Sequence, residues 1–427
     1  MPTRKRAAKK TATVQLDQHT IRIRMYRVGF GDCFLVSLPG ANGPRHMLVD
    51  CGVHTQGDIN TLGDIVANIA IETNQHLAVV IATHVHQDHI SGFGRLADAW
   101  SRFTVDEVWL PWTEDPKDQQ AITLQRKHMA LAEHLKQHFD APATSERTAA
   151  RGAALEAVAN LTGNQKAVQV LRSGFRGTAH VRYLKAGEAV QDPGDIAGLT
   201  VRVLGPPKDQ TFLARMDPPA GQRFLRMGDQ GVEAVNALVP FAAKWRIDRD
   251  TEVLGRLQLS PMEEQKLREA LADTSLESLA FALDHARNNT SLVTLFIFQG
   301  QYLLFPGDAQ YGNWQWWLEH EEAEDILSRV TFLKVAHHGS HNATPRGALE
   351  KMTAGFAAMV STQSVPWESI PRLPLMQRLE ALTNHRVVRS DSLAIARNPA
   401  APKGPALPQV PAGFRAGDLW YDYVIRL

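Results

Sequence analysis

The run Thr83-His84-Val85-His86-Gln87-Asp88-His89 places four candidate metal ligands within six residues. His84 and His86 alternate along an extended backbone, so both rings can point to one cation, while Asp88 and His89 lie past the turn and can reach a second. Mixed imidazole and carboxylate donors suit Zn most readily, with Mn or Fe as alternatives that spacing does not separate. Such a cation acidifies water and stabilises an oxyanion, which is the chemistry of hydrolysis. A cluster of histidines on a solvated surface would need no buried strand before it. This run follows the apolar stretch Leu77 to Ala82 and precedes Gly-Phe-Gly.

The elements that must hold this loop are legible on both sides of it. Ile21 to Leu38 reads as two strands joined by a turn at Gly29 and Gly31, and HMLVDCG as a short buried strand ending near Asp50 and Gly52. Asp58 to Asn74 reads as a helix, Leu77 to Ala82 as the next strand, and the segment through Trp100 as a further helix before an apolar strand at Val105 to Leu110. Strand character is expected again at Val168 to Leu171, Leu199 to Leu204, Ser291 to Gln299, Tyr302 to Pro306, Thr331 to Ala336 and Ala357 to Ser361. A Trp-rich helix is expected near Trp314 to His320. Trp314, Trp316 and Trp317 either pack that helix or offer a stacking surface to substrate. The alternating terminal run DLWYDYVIRL should return to the body as a strand. Alternation of strands and helices in two halves points to a layered α/β fold.

At 427 residues, with 46 Lys+Arg against 45 Asp+Glu, the chain is large enough for one enlarged domain and too balanced in charge for global capture of nucleic acid. Residues 1 to 20 form a basic tail, with Arg4, Lys5, Arg6, Lys9 and Lys10, which is either a solvated end or a local contact for phosphate-rich polymers. Residues 21 to 427 are assigned to the enlarged domain. Helix-rich insertions are expected near 114 to 164, with helical spacing from Gln119 to His138 and Ser145 to Leu161, and near 206 to 289, with a helix from Pro261 to His285. A C-terminal extension begins at about 362. No secretory leader is expected, because the basic start continues into polar residues, and no run is long enough to span a membrane. Two cysteines, Cys33 and Cys51, fit buried thiols in a reducing cytoplasm, with a single bridge as the alternative.

The HxHxDH run resembles the signature of the metallo-beta-lactamase fold superfamily, whose members hold one or two divalent metal ions between two β-sheets flanked by helices. The resemblance implies a four-layer αββα sandwich. It carries Asp50, in Leu48-Val49-Asp50-Cys51-Gly52, over as a residue supporting the ligand loop. Gly307-Asp308 is similar to the later Gly-Asp motif, in which the carboxylate bridges two metals. LKVAHHGSHNA is similar to the last motif, with either His337 or His338 as the ligand. RVGFGDCFLV, NNTSLVTLF and LKVAHHGS resemble most closely the nuclease-like domain of the ComEC/Rec2-related proteins. That narrower resemblance places Asp32 near the site and makes Ser340 a phosphate contact or a loop anchor.

What the resemblance implies is a metal-dependent hydrolase, with Asp88 and Asp308 as its catalytic carboxylates, acting on a phosphodiester in nucleic acid or a nucleotide. The alternatives are a hydrolase of a small ester, thioester or lactam, and a partner-binding protein that a metal merely stabilises. One departure stands out. Gly205, in VRVLGPP, occupies the place where members with two full sites supply another His, leaving the first site short of a ligand. His128, His134, His138 and His180 lie between the motifs as ordinary polar residues and are not assigned. Oligomeric state is not legible.

Overall fold

The computed structural model describes residues 16–54, 58–140, 155, 157–159, 163–224, 283–319, 322–365, 369–392, 395–396, 407–408 and 410–427. The first sheet contains β1 (Thr20–Tyr26), β2 (Cys33–Leu38), β3 (Arg45–Cys51), β4 (His76–Ile81), β5 (Thr104–Pro111) and β6 (His180–Leu184). The second contains β7 (Glu188–Gln191), β8 (Leu199–Gly205), β9 (Val293–Phe298), β10 (Gln301–Phe305), β11 (Phe332–Lys334), β12 (Ala357–Val360) and β13 (Val387–Arg389). A small pair follows, β14 (Ile395–Ala396) with β15 (Leu407–Pro408), and then β16 (Phe414–Ala416) and β17 (Trp420–Arg426) return to the first sheet. The strand orders are β16-β17-β1-β2-β3-β4-β5-β6 and β13-β12-β11-β10-β9-β8-β7.

Side-chain alternation fixes which face of each strand is covered. Ile21, Ile23 and Met25 of β1 join Val36, Val49 and Ile81 in a core shared with Val201, Phe296, Phe305 and Met359 of the second sheet. On the opposite face of β1, Arg22 and Arg24 are buried yet paired: both reach Glu72, at 2.8 and 3.0 Å, and Arg24 grips Asp422 through Nε and Nη2 at 2.7 and 2.8 Å. Helix Leu62–Thr73 covers that face. Thr61 caps its Asp64 N–H, and Leu62, Ile65, Val66 and Ile69 supply the buried stripe. Helices Tyr311–Leu318, Ala323–Arg329, Arg346–Lys351 and Leu373–Leu382 cover the outer face of the second sheet. The result is the four-layer αββα sandwich. Trp314 and Trp317 are packed there, with ring centroids 5.2 Å apart, so both indoles belong to the core.

Several readings differ from the sequence. Val168 to Leu171 lies inside a helix, Gln165–Ser173, because Ala167, Val170 and Leu171 fall at helical spacing and pack beneath helix Gln87–Arg95. Strands β6, β7 and β13 are short and only partly apolar, and they had no distinguishing pattern. Helix Gln119–Asp140 matches the helical spacing read from Gln119. The basic tail before residue 16, most of the helical run at Ser145 to Leu161, and the run Pro261 to His285 before residue 283 lie outside the described residues. Beyond residue 362, β13 continues the second sheet, and β17 pairs with β1 along its whole length. Among the described residues no helix is long and apolar enough to cross a membrane. Cys33 and Cys51 face each other across β2 and β3 as buried free thiols.

Candidate metal centre

Strands β3 to β6 run parallel, as do β10 to β13, and the sequence-nominated residues collect beyond their carboxyl ends. Thr83 and His84 leave β4, His86 is the residue before helix Gln87–Arg95, and Asp88 and His89 fill its first turn. Gly31 and Gly52 let this loop settle against the sheet. A Cβ at Gly52 would lie 2.5 Å from the Asp88 and His89 backbone, and one at Gly31 would lie 2.7 Å from the Asp88 carbonyl oxygen. The Asp32 N–H donates to that same carbonyl at 2.9 Å. Asp50, His337 and His338 all adopt left-handed backbone conformations, with φ of 56°, 48° and 54°. Such conformations in non-glycine residues are concentrated at functional turns.

Asp88, His89, Asp308 and His338 each offer one donor atom, and these atoms lie within 4.8 Å of one another, all four residues being buried. Donors around one ion at about 2.1 Å stand at most about 4.2 Å apart, so a contraction of a few tenths of an ångström would gather all four. His338 Nε2 is 3.1 Å from Asp88 Oδ2 and 3.3 Å from Asp308 Oδ2, and His89 Nε2 is 3.1 Å from Asp308 Oδ2. Asp88 Oδ1 and His89 Nε2 nevertheless lack a well-directed hydrogen-bond partner. Buried donor atoms that converge and leave two of their number without a hydrogen bond fit a divalent cation.

The rings are aimed from behind. His338 Nδ1 donates to the Ser361 carbonyl at 2.8 Å, which leaves Nε2 as the lone-pair side. His89 Nδ1 donates to Asp50 Oδ2 at 2.8 Å, and Asp50 also accepts the Thr83 N–H and hydroxyl, each at 2.7 Å. Asp50 thus sits behind the loop. Asp32 stands 3.6 Å from His89 Nδ1 and 3.7 Å from His338 Nδ1. Asp32, Asp50 and His89 form another acidic triad, in which the Lys334 ammonium pairs with Asp32 and the His89 proton is given to Asp50, so cations of the chain already face both carboxylates.

Lys334 is a site residue that motif reading missed. Its Nζ donates to the Gly307 carbonyl at 2.9 Å and lies 3.2 Å from Asp308 Oδ1. The signal was a lysine inside the apolar strand LKVA, where an unpaired charge would not be buried. Asp308 therefore gives Oδ1 to Lys334 and Oδ2 to the two imidazoles.

Burial opposes every charge in this pocket, and neighbours decide the outcome. Against burial, the Asp308 and Asp88 carboxylates hold His338 protonated up to about 10. Asp308, Asp50 and Asp88 raise His89 in the same way. Asp308 itself falls well below the usual carboxylate range, because His89, His338 and Lys334 outweigh its burial. A divalent cation at this place would take over the positive charge that the two imidazole protons supply. His84 and His86 behave oppositely: burial keeps both neutral, pushing His86 down to about 3, and the neutral ring is the ligating form.

His84 and His86 form a second focus, with His84 Nε2 3.1 Å from His86 Nδ1. His337, nominated alongside His338, does not join the four-donor cluster. Its Nε2 faces Asn288 Nδ2 at 3.2 Å and its Nδ1 faces Asn342 Oδ1 at 3.2 Å, because successive left-handed residues send the two rings apart. Ser340 donates to Asn342 Oδ1 at 2.8 Å and so anchors its own turn. His128 is buried rather than on the surface, whereas His180 is exposed on β6.

Residues 26–126 match the family model described as the metallo-beta-lactamase superfamily, a span that includes Asp32, Asp50 and the whole of His84 to His89. No curated protein matches the chain. Among solved structures, a metallo hydrolase from the hyperthermophilic archaeon Ignicoccus hospitalis aligns at 11% identity over 87% of this chain and 95% of that one, with a TM-score of 0.36.

Proposed function

We propose that this chain is a metal-dependent hydrolase whose substrate is a phosphodiester, in nucleic acid or a nucleotide. The observation that carries the proposal is the buried convergence of Asp88, His89, Asp308 and His338, brought together from three separate segments of chain. A divalent cation held by these four residues supplies the positive charge that acidifies water and stabilises a developing oxyanion. Zn fits the donor set, and Mn or Fe are the alternatives.

The chain's own residues supply the rest. Asp88 turns Oδ2 to His338 and leaves Oδ1 without a hydrogen-bond partner, so that oxygen is placed to accept a hydrogen bond from an attacking water and align it. Asp50 and the Ser361 carbonyl hold the two imidazoles in fixed orientations. Just beyond His338 and Gly339, Ser340 spends its hydroxyl proton on Asn342 Oδ1, whereas the buried Asn342 Nδ2 has no hydrogen-bond partner and is a donor suited to a non-bridging oxygen of a phosphate. The narrower resemblance of NNTSLVTLF and LKVAHHGS to the ComEC/Rec2-related domain favours the phosphodiester over an ester, thioester or lactam. A near-neutral chain would engage a nucleic acid through a local patch rather than its overall field.

The test is a substrate panel of linear DNA, RNA, cyclic nucleotides, a chromogenic phosphodiester, a thioester and a lactam, run with Zn or Mn and with chelator. Phosphodiester cleavage abolished by chelator and by Asp308→Asn is expected. Cleavage unchanged by either, or turnover of only the thioester or lactam, would overturn the assignment.

A further inference from the structure

The His84 and His86 focus contains a third donor that no histidine motif marks. Asn288 is buried, and its Oδ1 lies 2.8 Å from His86 Nδ1, which is itself 3.1 Å from His84 Nε2. Donors around a tetrahedral ion with bonds of about 2.0–2.1 Å stand about 3.3 Å apart; the His84–His86 separation is close to that, and the His86–Asn288 separation, a hydrogen bond without metal, is somewhat shorter.

Two of the three groups are aimed by what lies behind them. His86 Nδ1 faces His84 and Asn288, while its Nε2 stands 3.5 Å from Asp284 Oδ1 without a hydrogen bond. His84 Nδ1 is occupied by the Thr83 and Ser291 hydroxyls, each at 3.2 Å, which leaves Nε2 inward. Asn288 Nδ2 donates to His337 Nε2, while His337 Nδ1 donates to Asn342 Oδ1. With its amide nitrogen committed to His337, Asn288 presents its oxygen to the two imidazoles.

We propose that Asn288 Oδ1 completes a second divalent-cation site with His84 and His86, and that His337 is a positioning residue that aims the amide. This goes beyond the hydrolase assignment and rests on its claim that the protein binds divalent metal. Gly205, where a further imidazole was sought, cannot supply the ligand: a Cβ there would lie 1.8 Å from Asn313 Oδ1, whose amide is fixed by donation to the Asn289 and Ser291 carbonyls. A neutral amide oxygen is a weaker and harder donor than imidazole. The second site should accordingly bind more weakly than the four-donor cluster and discriminate less strongly for Zn over Mn.

The experiment is calorimetric titration of the full-length metal-free protein with Mn²⁺ and with Co²⁺, together with the visible absorption of each cobalt equivalent. Wild type should bind two equivalents, the second more weakly. Asn288→Leu should keep the first equivalent and weaken the second at least tenfold, with loss of its cobalt band. Asn288→Asp, nearly the same size but anionic, should tighten the second at least tenfold. His337→Ala should weaken the second event and leave the first alone. Two equivalents with wild-type affinities in Asn288→Leu, or an unchanged second constant in Asn288→Asp, would overturn the proposal. A wild-type protein that binds one equivalent would overturn it while leaving the four-donor cluster intact, whereas binding of none would instead remove the metal-dependent reading.

Discussion

Asp50→Asn changes one atom and should separate metal affinity from stability. In the native protein Asp50 Oδ1 accepts the Thr83 N–H at 2.7 Å, while Oδ2 accepts the Thr83 hydroxyl at 2.7 Å and the His89 Nδ1 proton at 2.8 Å. An asparagine can keep its oxygen on the Thr83 N–H, and its NH₂ can donate to a Thr83 hydroxyl that has rotated to accept. The remaining NH₂ proton points at His89 Nδ1, and it can be accommodated only if the ring moves its own proton to Nε2. That tautomer removes the lone pair facing Asp308 and Asp88. Loss of roughly one charge-assisted bond should cost about 1.5–3 kcal/mol in stability. Loss of the aimed lone pair should cost about 10–100-fold in metal affinity, or about 1.4–2.7 kcal/mol of binding free energy. Competition against a chromogenic chelator measures the affinity, and urea unfolding of the metal-free protein measures the stability. Metal affinity within twofold of wild type would refute the claim that Asp50 sets the His89 tautomer.

Lys334→Met should destabilise the metal-free protein by about 3–5 kcal/mol, since it leaves Asp32 and Asp308 buried without their ammonium; a urea midpoint equal to wild type would contradict this. Gly52→Ala should cost about 1–3 kcal/mol and weaken metal binding, because its Cβ would press on the Asp88 and His89 backbone; unchanged melting and affinity would show that the loop does not need this approach. Burial, with Arg22 adding to it, lowers His46 to about 4. The folded state therefore favours the neutral ring, and the associated stability is complete above the unfolded pKa of about 6.5 and lost as pH falls toward 4, by about 3 kcal/mol at pH 4. His46→Gln should flatten the stability-against-pH curve across that window, and a curve of unchanged slope would contradict the assignment.

The parts of the site that lie close together in sequence were the parts readable from it. His84 to His89 form one short loop whose ligand types and strand context are visible together, and Asp50 and Asp308 sit at strand ends in short motifs. Which of His337 and His338 joins the cluster was not readable, because it depends on two successive left-handed residues whose side chains diverge. Lys334 and Asn288 were missed for a related reason. Each acquires its role only when β11, or the segment before β9, is brought beside the His84–His89 loop by sheet pairing and packing across the sandwich, and neither residue type advertises metal chemistry. The strands with strong apolar alternation were found. Val168 to Leu171 was misread because four apolar and polar residues cannot distinguish a short strand from one turn of an amphipathic helix.

The central claim is that a divalent cation is held by Asp88, His89, Asp308 and His338. Crystals of the full-length protein soaked in Mn²⁺ or Zn²⁺, with data collected on both sides of the metal absorption edge, test it directly. An anomalous-difference peak enclosed by those four side chains, and lost in Asp308→Asn, is the expected result. A metal-soaked crystal with no peak among them, or with its strongest peak elsewhere on the molecule, would contradict the assignment.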